Sequence, residues 1–307
     1  MADHGSRRAV IAALVANGGI AVAKFAGFFV TGSSAMLAEG VHSVADTGNQ
    51  GLLLLGDHRA RRAATHAHPF GFGRERYFWS FVVSMMLFTL GGLFALFEGT
   101  EKLRHPHPIE SPLVAVVILC VALVLEGFSM RTAVRESAGI RRGQGWLAFV
   151  RGSKSPEIAV VLLEDFGALV GLIIALLGIG LEVSTGDPTW DGASTLAIGA
   201  LLLVISVLLA VEMKSLLIGE AASEADVAAI ESAVLSTPAV RRLIHLRTQH
   251  LGPEDVLVAA KVELDADLDF AAVSEAIDVI EERVRSAVPV CRLVFVEPAV
   301  FRSQVES

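Results

Sequence analysis

The sequence predicts an α-helical membrane protein with six transmembrane helices followed by a small C-terminal α+β domain. The composition supports the first part, because 53% of the residues are hydrophobic and the mean hydropathy of +0.60 exceeds that of soluble domains. The distribution of apolar residues along the chain supports the C-terminal domain, because the long apolar runs end before Gly219 and the chain after it is much more polar. We therefore divide the chain into a membrane domain, residues 1–215, and a tail domain, residues 216–307.

The membrane domain contains apolar stretches long enough for helices that cross a bilayer. A hydrocarbon core of about 30 Å requires about 20 helical residues. The predicted spans lie near residues 8–30, 33–56, 79–102, 112–134, 157–181 and 192–214. The first apolar run continues through Lys24 without a clear cleavage site, so we interpret it as a retained helix. The second and fifth spans contain acidic residues, which must face protein rather than lipid.

Basic residues concentrate in two of the predicted connections, around residues 57–76 and 131–156. Because loops rich in Lys and Arg stay in the cytoplasm, this pattern predicts that both termini are cytoplasmic. A bacterial inner membrane is the expected location. The net charge of −8 arises mostly in the tail, which from Glu220 onward holds 16 of the 33 acidic residues and 8 of the 25 basic residues. This acidity argues against a nucleic-acid partner.

The tail domain shows helix and strand signals in turn. Apolar residues spaced three and four apart predict helices over residues 227–234 and 273–284. Alternating apolar and polar residues predict two strands on either side of a Gly252-Pro253 turn, and "CRLVFVEP" predicts a third strand. The order helix, strand, strand, helix, strand indicates an α+β sandwich with helices on one face of a small sheet. So small a core favours association with a second copy.

Polar residues interrupt the second and fifth predicted spans. In the second span, Glu39, His42 and Asp46 are three and four residues apart and therefore form one stripe on a helix. The fifth span contributes Glu164 and Asp165. At about 1.5 Å per residue, His42 lies about 14 Å below the outer edge of the membrane and Asp165 about 14 Å above the inner edge. The two helices can thus bring an imidazole and two or three carboxylates to a common depth.

This cluster predicts a cation site. Ionised groups in hydrocarbon are costly unless they are paired or hydrated, and neither half-helix contains a Lys or Arg. The cation is either a metal or a proton. One imidazole nitrogen with two or three carboxylate oxygens suits Zn²⁺ or a similar divalent ion, and a proton relay is the rival interpretation.

The five residues are not equivalent as metal ligands. We predict His42, Asp46 and Asp165 as ligands, with helix-to-helix hydrogen bonding as the alternative role. Glu164 points about 100° away from Asp165 on an ideal helix, so both bind one ion only if it lies between them or the helix is distorted. Glu39 lies a turn nearer the outer surface and is interpreted as an entrance or packing residue.

Four segments together resemble the cation diffusion facilitator family. They are "GSSAMLAEGVHSVADTGNQGLLLLG", "HAHPFGFGRERYFW", "VVLLEDFGALVGLIIALLGI" and "HLRTQHLGPEDVLV", and the resemblance extends over essentially the whole chain. It implies a homodimer with six transmembrane helices per subunit and a cytoplasmic ferredoxin-like tail domain. It also implies export of divalent cations, typically Zn²⁺, in exchange for protons. The sequence of these segments is most similar to the branch that contains the mitochondrial zinc transporter of animals.

The sequence departs from the family pattern at the metal-binding positions. The resemblance implies a His or Asp four residues before Asp165, where this chain has Val161, so Glu164 or a water must complete the site. In the loop between the second and third spans, His68 occupies a ligand position of the family, but Phe72 replaces a second His. Whether His66 and His68 form a metal site is therefore left undecided by the sequence. In the tail, the positions of metal-binding histidines in some members are here Ile244, Ala260 and Phe295, and we interpret His245 and His250 as surface or turn residues. We therefore predict a tail domain that dimerises with little or no metal of its own.

The predicted function is export of Zn²⁺ from the cytoplasm by proton antiport through alternating access. Mn²⁺, Fe²⁺, Co²⁺ and Cd²⁺ also suit a site of this composition. A membrane scaffold or metal sensor without transport is the alternative. An enzyme is not expected, because a zinc hydrolase needs a general base beside a metal-bound water and the sequence contains no HExxH motif.

Overall fold

The computed structural model describes residues 18–141 and 145–301, and the chain divides into two compact units. The first unit contains the chain up to His58 together with Tyr77–Lys214. The second contains Arg59–Arg76 together with the chain from Ser215. The loop Arg59–Arg76, which the predicted boundary at residue 215 assigned to the membrane domain, is thus grouped with the tail.

The helices before the tail have the following bounds. They are α1 (Gly18–Thr31), α2 (Ser34–Ala60), α3 (Glu75–Met86), α4 (Phe94–Arg104), α5 (Pro112–Arg141), α6 (Trp146–Gly152), α7 (Pro156–Thr185) and α8 (Thr189–Ile218). A π-helical segment, Leu87–Leu93, joins α3 to α4. The segment Glu75–Arg104 therefore runs as one span. The short helix α6 was not predicted, and α5 extends seven residues beyond its predicted end at residue 134.

Among the described residues, four helices are long and apolar enough to cross a membrane. They are Glu75–Arg104, Pro112–Arg135, Pro156–Thr185 and Thr189–Ile218. These spans confirm the third to sixth predictions. The described part of the first span is the shorter helix Gly18–Thr31, and predicted residues 8–17 lie outside the described residues. The second span, α2, is long, but polar residues interrupt its apolar runs.

The ends of these helices follow from local sequence. Gly32 separates α1 from α2 and has a φ of +66°, a left-handed conformation that glycine adopts without steric cost. Pro156 occupies the first turn of α7, where its missing N–H leaves no helical hydrogen bond unmade. Gly186 ends α7 in the left-handed conformation.

Close packing brings the helices of the first unit together around an apolar core. The core includes Val83, Leu87, Leu119, Leu172, Ile198 and Leu202. In the π-helical segment, Gly91 and Gly92 approach Leu202 and Leu203 of α8 so closely that a Cβ at Gly92 would lie 2.5 Å from the Leu203 side chain. Small residues at such crossings allow membrane helices to pack closely.

The tail has the predicted order of elements. They are α9 (Glu224–Leu235), β1 (Val240–Gly252), β2 (Asp255–Leu264), α10 (Phe270–Ala287) and β3 (Leu293–Pro298). The sheet has the order β1-β2-β3, with β1 antiparallel and β3 parallel to β2. Side chains cap both helices, because Ser223 accepts a hydrogen bond from the Asp226 N–H and Asp269 accepts one from the Ala272 N–H.

The tail core lies between the sheet and the two helices. Alternate residues of β2, Val256, Val258, Ala260 and Val262, are buried, as the sequence alternation predicts. They pack in one cluster with Ile230 and Val234 of α9 and with Ile280 and Val284 of α10. The described structure thus confirms a small α+β domain after the last apolar helix.

Candidate metal centre

The second helix places His42 and Asp46 one above the other. His42 is fully buried, and its Nδ1 lies 3.5 Å from Asp46 Oδ1. Both ring nitrogens of His42 and Oδ1 of Asp46 are buried without a hydrogen-bond partner among the described residues. Buried polar atoms are normally hydrogen-bonded, so these three atoms are free to bind a cation.

A small cavity lies next to this pair. Its lining includes four carboxylates, those of Asp46, Glu126, Glu164 and Asp165. The remaining lining residues are Ile20, Ser43, Gln50 and Val161. The cavity measures about 20 Å³, which is room for about one water-sized group. Four carboxylates from three helices thus line one small space.

The predicted residues meet here, but not all in the same way. Asp46, Glu164 and Asp165 line the cavity together, so adjacent positions on α7 reach a space that lies between them. His42 is not among the lining residues and contacts the site through Asp46.

Two hydrogen bonds position the carboxylates of α7. Asn49 Nδ2 donates to Glu164 Oε1 at 2.7 Å, and Ser129 Oγ donates to Asp165 Oδ2 at 2.9 Å. Each bond joins α7 to a different helix, α2 or α5. Hydrogen bonds of this kind hold ligand side chains in a fixed orientation.

Sequence reasoning missed Lys24, which lies on α1 rather than on the two helices that contain the acids. Its ammonium is fully buried, 3.0 Å from Glu39 Oε2 and 2.8 Å from Ser43 Oγ. The pairing agrees with a packing role for Glu39. A Lys inside a predicted apolar span was the available signal, because such a residue needs a partner in the protein interior.

Sequence reasoning also missed Glu126. Its signal was an acid in the middle of the apolar helix α5, directly after the charge-free run that ends at Leu125. Nothing in the local sequence connects it to α2 or α7. The helix packing alone brings it to the cavity.

Two family descriptions match the chain. Residues 10–218 match "Cation efflux transmembrane domain", and residues 222–299 match "Cation efflux protein, cytoplasmic domain". The chain belongs to the cation efflux family. With the four apolar helices described above, it is an integral, multi-pass membrane protein of this family, which is a family of transporters rather than enzymes, and its tail matches a family of dimerisation domains.

Several curated proteins are similar to this cation efflux protein. The human "Proton-coupled zinc antiporter SLC30A9, mitochondrial" is 34% identical over 85% of this chain and 46% of its own length. "Metal tolerance protein C4" of Arabidopsis thaliana is 28% identical over 87% of this chain and 59% of its own length. "Cation-efflux pump FieF" of Cronobacter sakazakii is 27% identical over 94% of this chain and 91% of its own length. The chain thus spans about half the length of the human relative.

Ready-formed clusters of metal-binding side chains are absent from the described part of this cation efflux protein. Within residues 18–141 and 145–301, no group of three or more His, Cys, Asp and Glu side chains is close enough to hold a metal ion. The cavity carboxylates are therefore not drawn together around one point. In the loop, His66 and His68 are exposed, and the Phe72 ring lies 4.6 Å from the His68 ring.

The tail positions of interest differ in their surroundings. Ala260 is buried in the core, whereas Phe295 is exposed. His245 is exposed, as predicted, but the prediction for His250 was wrong. His250 is buried, with Nδ1 3.2 Å from the Gly252 carbonyl oxygen, because the end of β1 turns into the core at Leu251.

Proposed function

We propose that this cation efflux protein exports Zn²⁺ from the cytoplasm in exchange for protons. The observation that supports the proposal is the cavity that Asp46, Glu164 and Asp165 line together, beside a buried His42 whose ring nitrogens have no hydrogen-bond partner among the described residues. These four residues are the proposed metal site. The human relative is named a proton-coupled zinc antiporter, which supports both the ion and the coupling.

The ligand chemistry favours Zn²⁺. An imidazole nitrogen with carboxylate oxygens forms the tetrahedral sites that Zn²⁺ prefers, whereas Ca²⁺ and Mg²⁺ favour oxygen alone. Co²⁺, Cd²⁺, Fe²⁺ and Mn²⁺ accept similar donors and are the competing substrates. Val161 lines the cavity without offering a donor.

Proton coupling follows from the ligands. Carboxylates in a space for one water-sized group cannot all stay ionised without a compensating cation. A metal binds the deprotonated groups, and protons take its place when it leaves. Transport then requires the site to open to one side of the membrane at a time.

The remaining architecture is proposed on the same basis. The chain has six transmembrane helices, with α1 and α2 added to the four apolar spans. Both termini face the cytoplasm of a bacterial inner membrane, because the basic residues lie in the alternate loops. The ferredoxin-like tail domain, residues 216–307, joins two copies into a homodimer.

Flux into proteoliposomes tests the proposal. Asp46→Ala and Asp165→Ala are each expected to lower saturable Zn²⁺ uptake driven by a lumenal proton store by at least about 10-fold, because each removes a site carboxylate. The measurement is uptake at graded Zn²⁺ with and without a pH gradient, repeated with Mn²⁺ and Fe²⁺. Asp267→Ala, which removes an exposed tail carboxylate, is the matched control.

The outcomes separate the candidate functions. Undiminished flux in either variant would contradict the site assignment. Absence of flux with every ion, from wild-type protein shown to be folded, would favour the scaffold or sensor function.

A further inference from the structure

We propose that Glu126 is an additional carboxylate ligand of the transported cation, supplied by α5. The inference rests on the proposed function and extends its site to a third helix. Nothing in the spacing of the His42 and Asp46 stripe points to it.

The position of Glu126 is the first argument. Its side chain lines the same cavity of about 20 Å³ as Asp46, Glu164 and Asp165. The space is about that of one water-sized group, so an ion that enters it lies beside the Glu126 carboxylate as well as the other three. Glu126 also interacts electrostatically with Asp46 and His42, so its charge belongs to the same cluster.

The register of α5 against α7 is the second argument. Ser129 lies three residues after Glu126 and therefore on nearly the same face of α5. Its hydroxyl donates to Asp165 Oδ2 at 2.9 Å, which joins α5 to α7 next to the cavity. This contact fixes the α5 face that contains Glu126 against α7 beside the cavity.

The charge balance is the third argument. A carboxylate in an apolar transmembrane helix needs a cationic partner. The ammonium of Lys24 interacts electrostatically with Glu126, but its short contacts are to Glu39 and Ser43, at 3.0 and 2.8 Å. A cation that binds in the cavity supplies Glu126 with a direct counter-charge that Lys24 does not provide.

Metal binding to the purified full-length protein in detergent tests the inference. Zn²⁺ affinity is measured by competition with a chromophoric chelator, and Co²⁺ serves as the spectroscopic probe of the ligand set. Glu126→Gln is expected to weaken Zn²⁺ binding about 10- to 100-fold and to change the visible spectrum of bound Co²⁺. Glu101→Gln, which removes a half-exposed carboxylate outside the cavity, is the matched control.

The spectrum distinguishes a ligand from a residue that only supports the site. Loss of a supporting residue lowers affinity but leaves the Co²⁺ ligands unchanged. Glu126→His is expected to retain binding with a shifted Co²⁺ spectrum, because imidazole replaces an oxygen donor with nitrogen. If Glu126→Gln fails to fold, the Co²⁺ spectrum of Glu126→His still tests whether Glu126 is a ligand.

Each outcome has one meaning. Wild-type affinity and an unchanged spectrum in Glu126→Gln, or an unchanged spectrum in Glu126→His, would overturn the assignment of Glu126. Metal binding that is lost in Asp46→Ala but normal in Glu126→Gln would leave the proposed function intact. Folded wild-type protein that binds neither Zn²⁺ nor Co²⁺ would overturn the proposed function itself.

Discussion

At the scale of single residues, a buried ion pair lies next to the proposed site. Lys24 and Glu39 are both fully buried, with the ammonium 3.0 Å from the carboxylate. Such a pair contributes little net stability, because desolvation of the two charges offsets their attraction. Removal of one partner is different, since it leaves the other charge buried alone. The pair therefore holds α1 to α2 without using the ligand atoms of His42 and Asp46.

We expect Lys24→Met to lower the free energy of unfolding by about 3–5 kcal/mol, because Glu39 is left without its partner. The double variant Lys24→Met/Glu39→Gln is expected to recover most of that loss. Thermal or denaturant unfolding in detergent measures both, and Lys214→Met, at an exposed position, is the control. Equal destabilisation in the single and double variants would show that the pair is not the cause.

At the scale of elements, a second buried polar cluster joins three helices. Asp191 of α8 is fully buried and accepts hydrogen bonds from Ser33 Oγ and from the Ser34 N–H, both at 2.7 Å. Lys102 of α4 lies 3.4 Å from the same carboxylate. Asp191 thus satisfies N–H groups at the start of α2, which have no partner inside the helix, and fixes that end against α4 and α8.

We expect Asp191→Asn to destabilise the protein by about 3–5 kcal/mol, because Lys102 loses its buried counter-charge. Zn²⁺ affinity is expected to change far less than in Asp46→Ala, since Asp191 does not line the cavity. Unfolding and chelator competition on the same preparations measure the two effects. Glu110→Gln removes an exposed carboxylate from the connection before α5 and is the matched control. A loss of affinity equal to that of Asp46→Ala would contradict this separation.

At the scale of the whole molecule, cation binding and folding are linked. The proposed ligands come from α2, α5 and α7, which are distant in the sequence and adjacent only in the folded protein. An ion that binds only the folded state stabilises it in proportion to the logarithm of its concentration over Kd. Cation binding to the assembled site should therefore raise the free energy of unfolding of the complete chain.

We expect Zn²⁺ at 100 times its Kd to raise the free energy of unfolding of the wild-type protein by about 2.7 kcal/mol. Asp46→Ala should lose most of this increment at the same Zn²⁺ concentration, because one of its ligands is gone. The melting temperature in detergent, recorded with Zn²⁺ and with a chelator, measures the difference. An equal rise in wild type and Asp46→Ala would indicate binding elsewhere in the chain.

Local sequence determined most of the secondary structure and which face of several elements is buried or polar. Apolar runs of about 20 residues predict the span Glu75–Arg104 and the spans formed by α5, α7 and α8, because a helix is the structure that satisfies its own backbone in lipid. Period-two alternation predicts which residues of β2 are buried. The three- and four-residue spacing of Glu39, His42 and Asp46 places them on one face of α2. Each of these follows from the geometry of a single element.

The tertiary structure decided which of these faces meet. It brings Glu126 of α5 to the cavity, separates Glu39 from the other acids by pairing it with Lys24, and groups the loop Arg59–Arg76 with the tail. Lipid is as apolar as the helix surfaces themselves, so the apolar pattern of a transmembrane helix says little about its neighbours. The site is an arrangement of several helices, and only their packing determines its full set of residues.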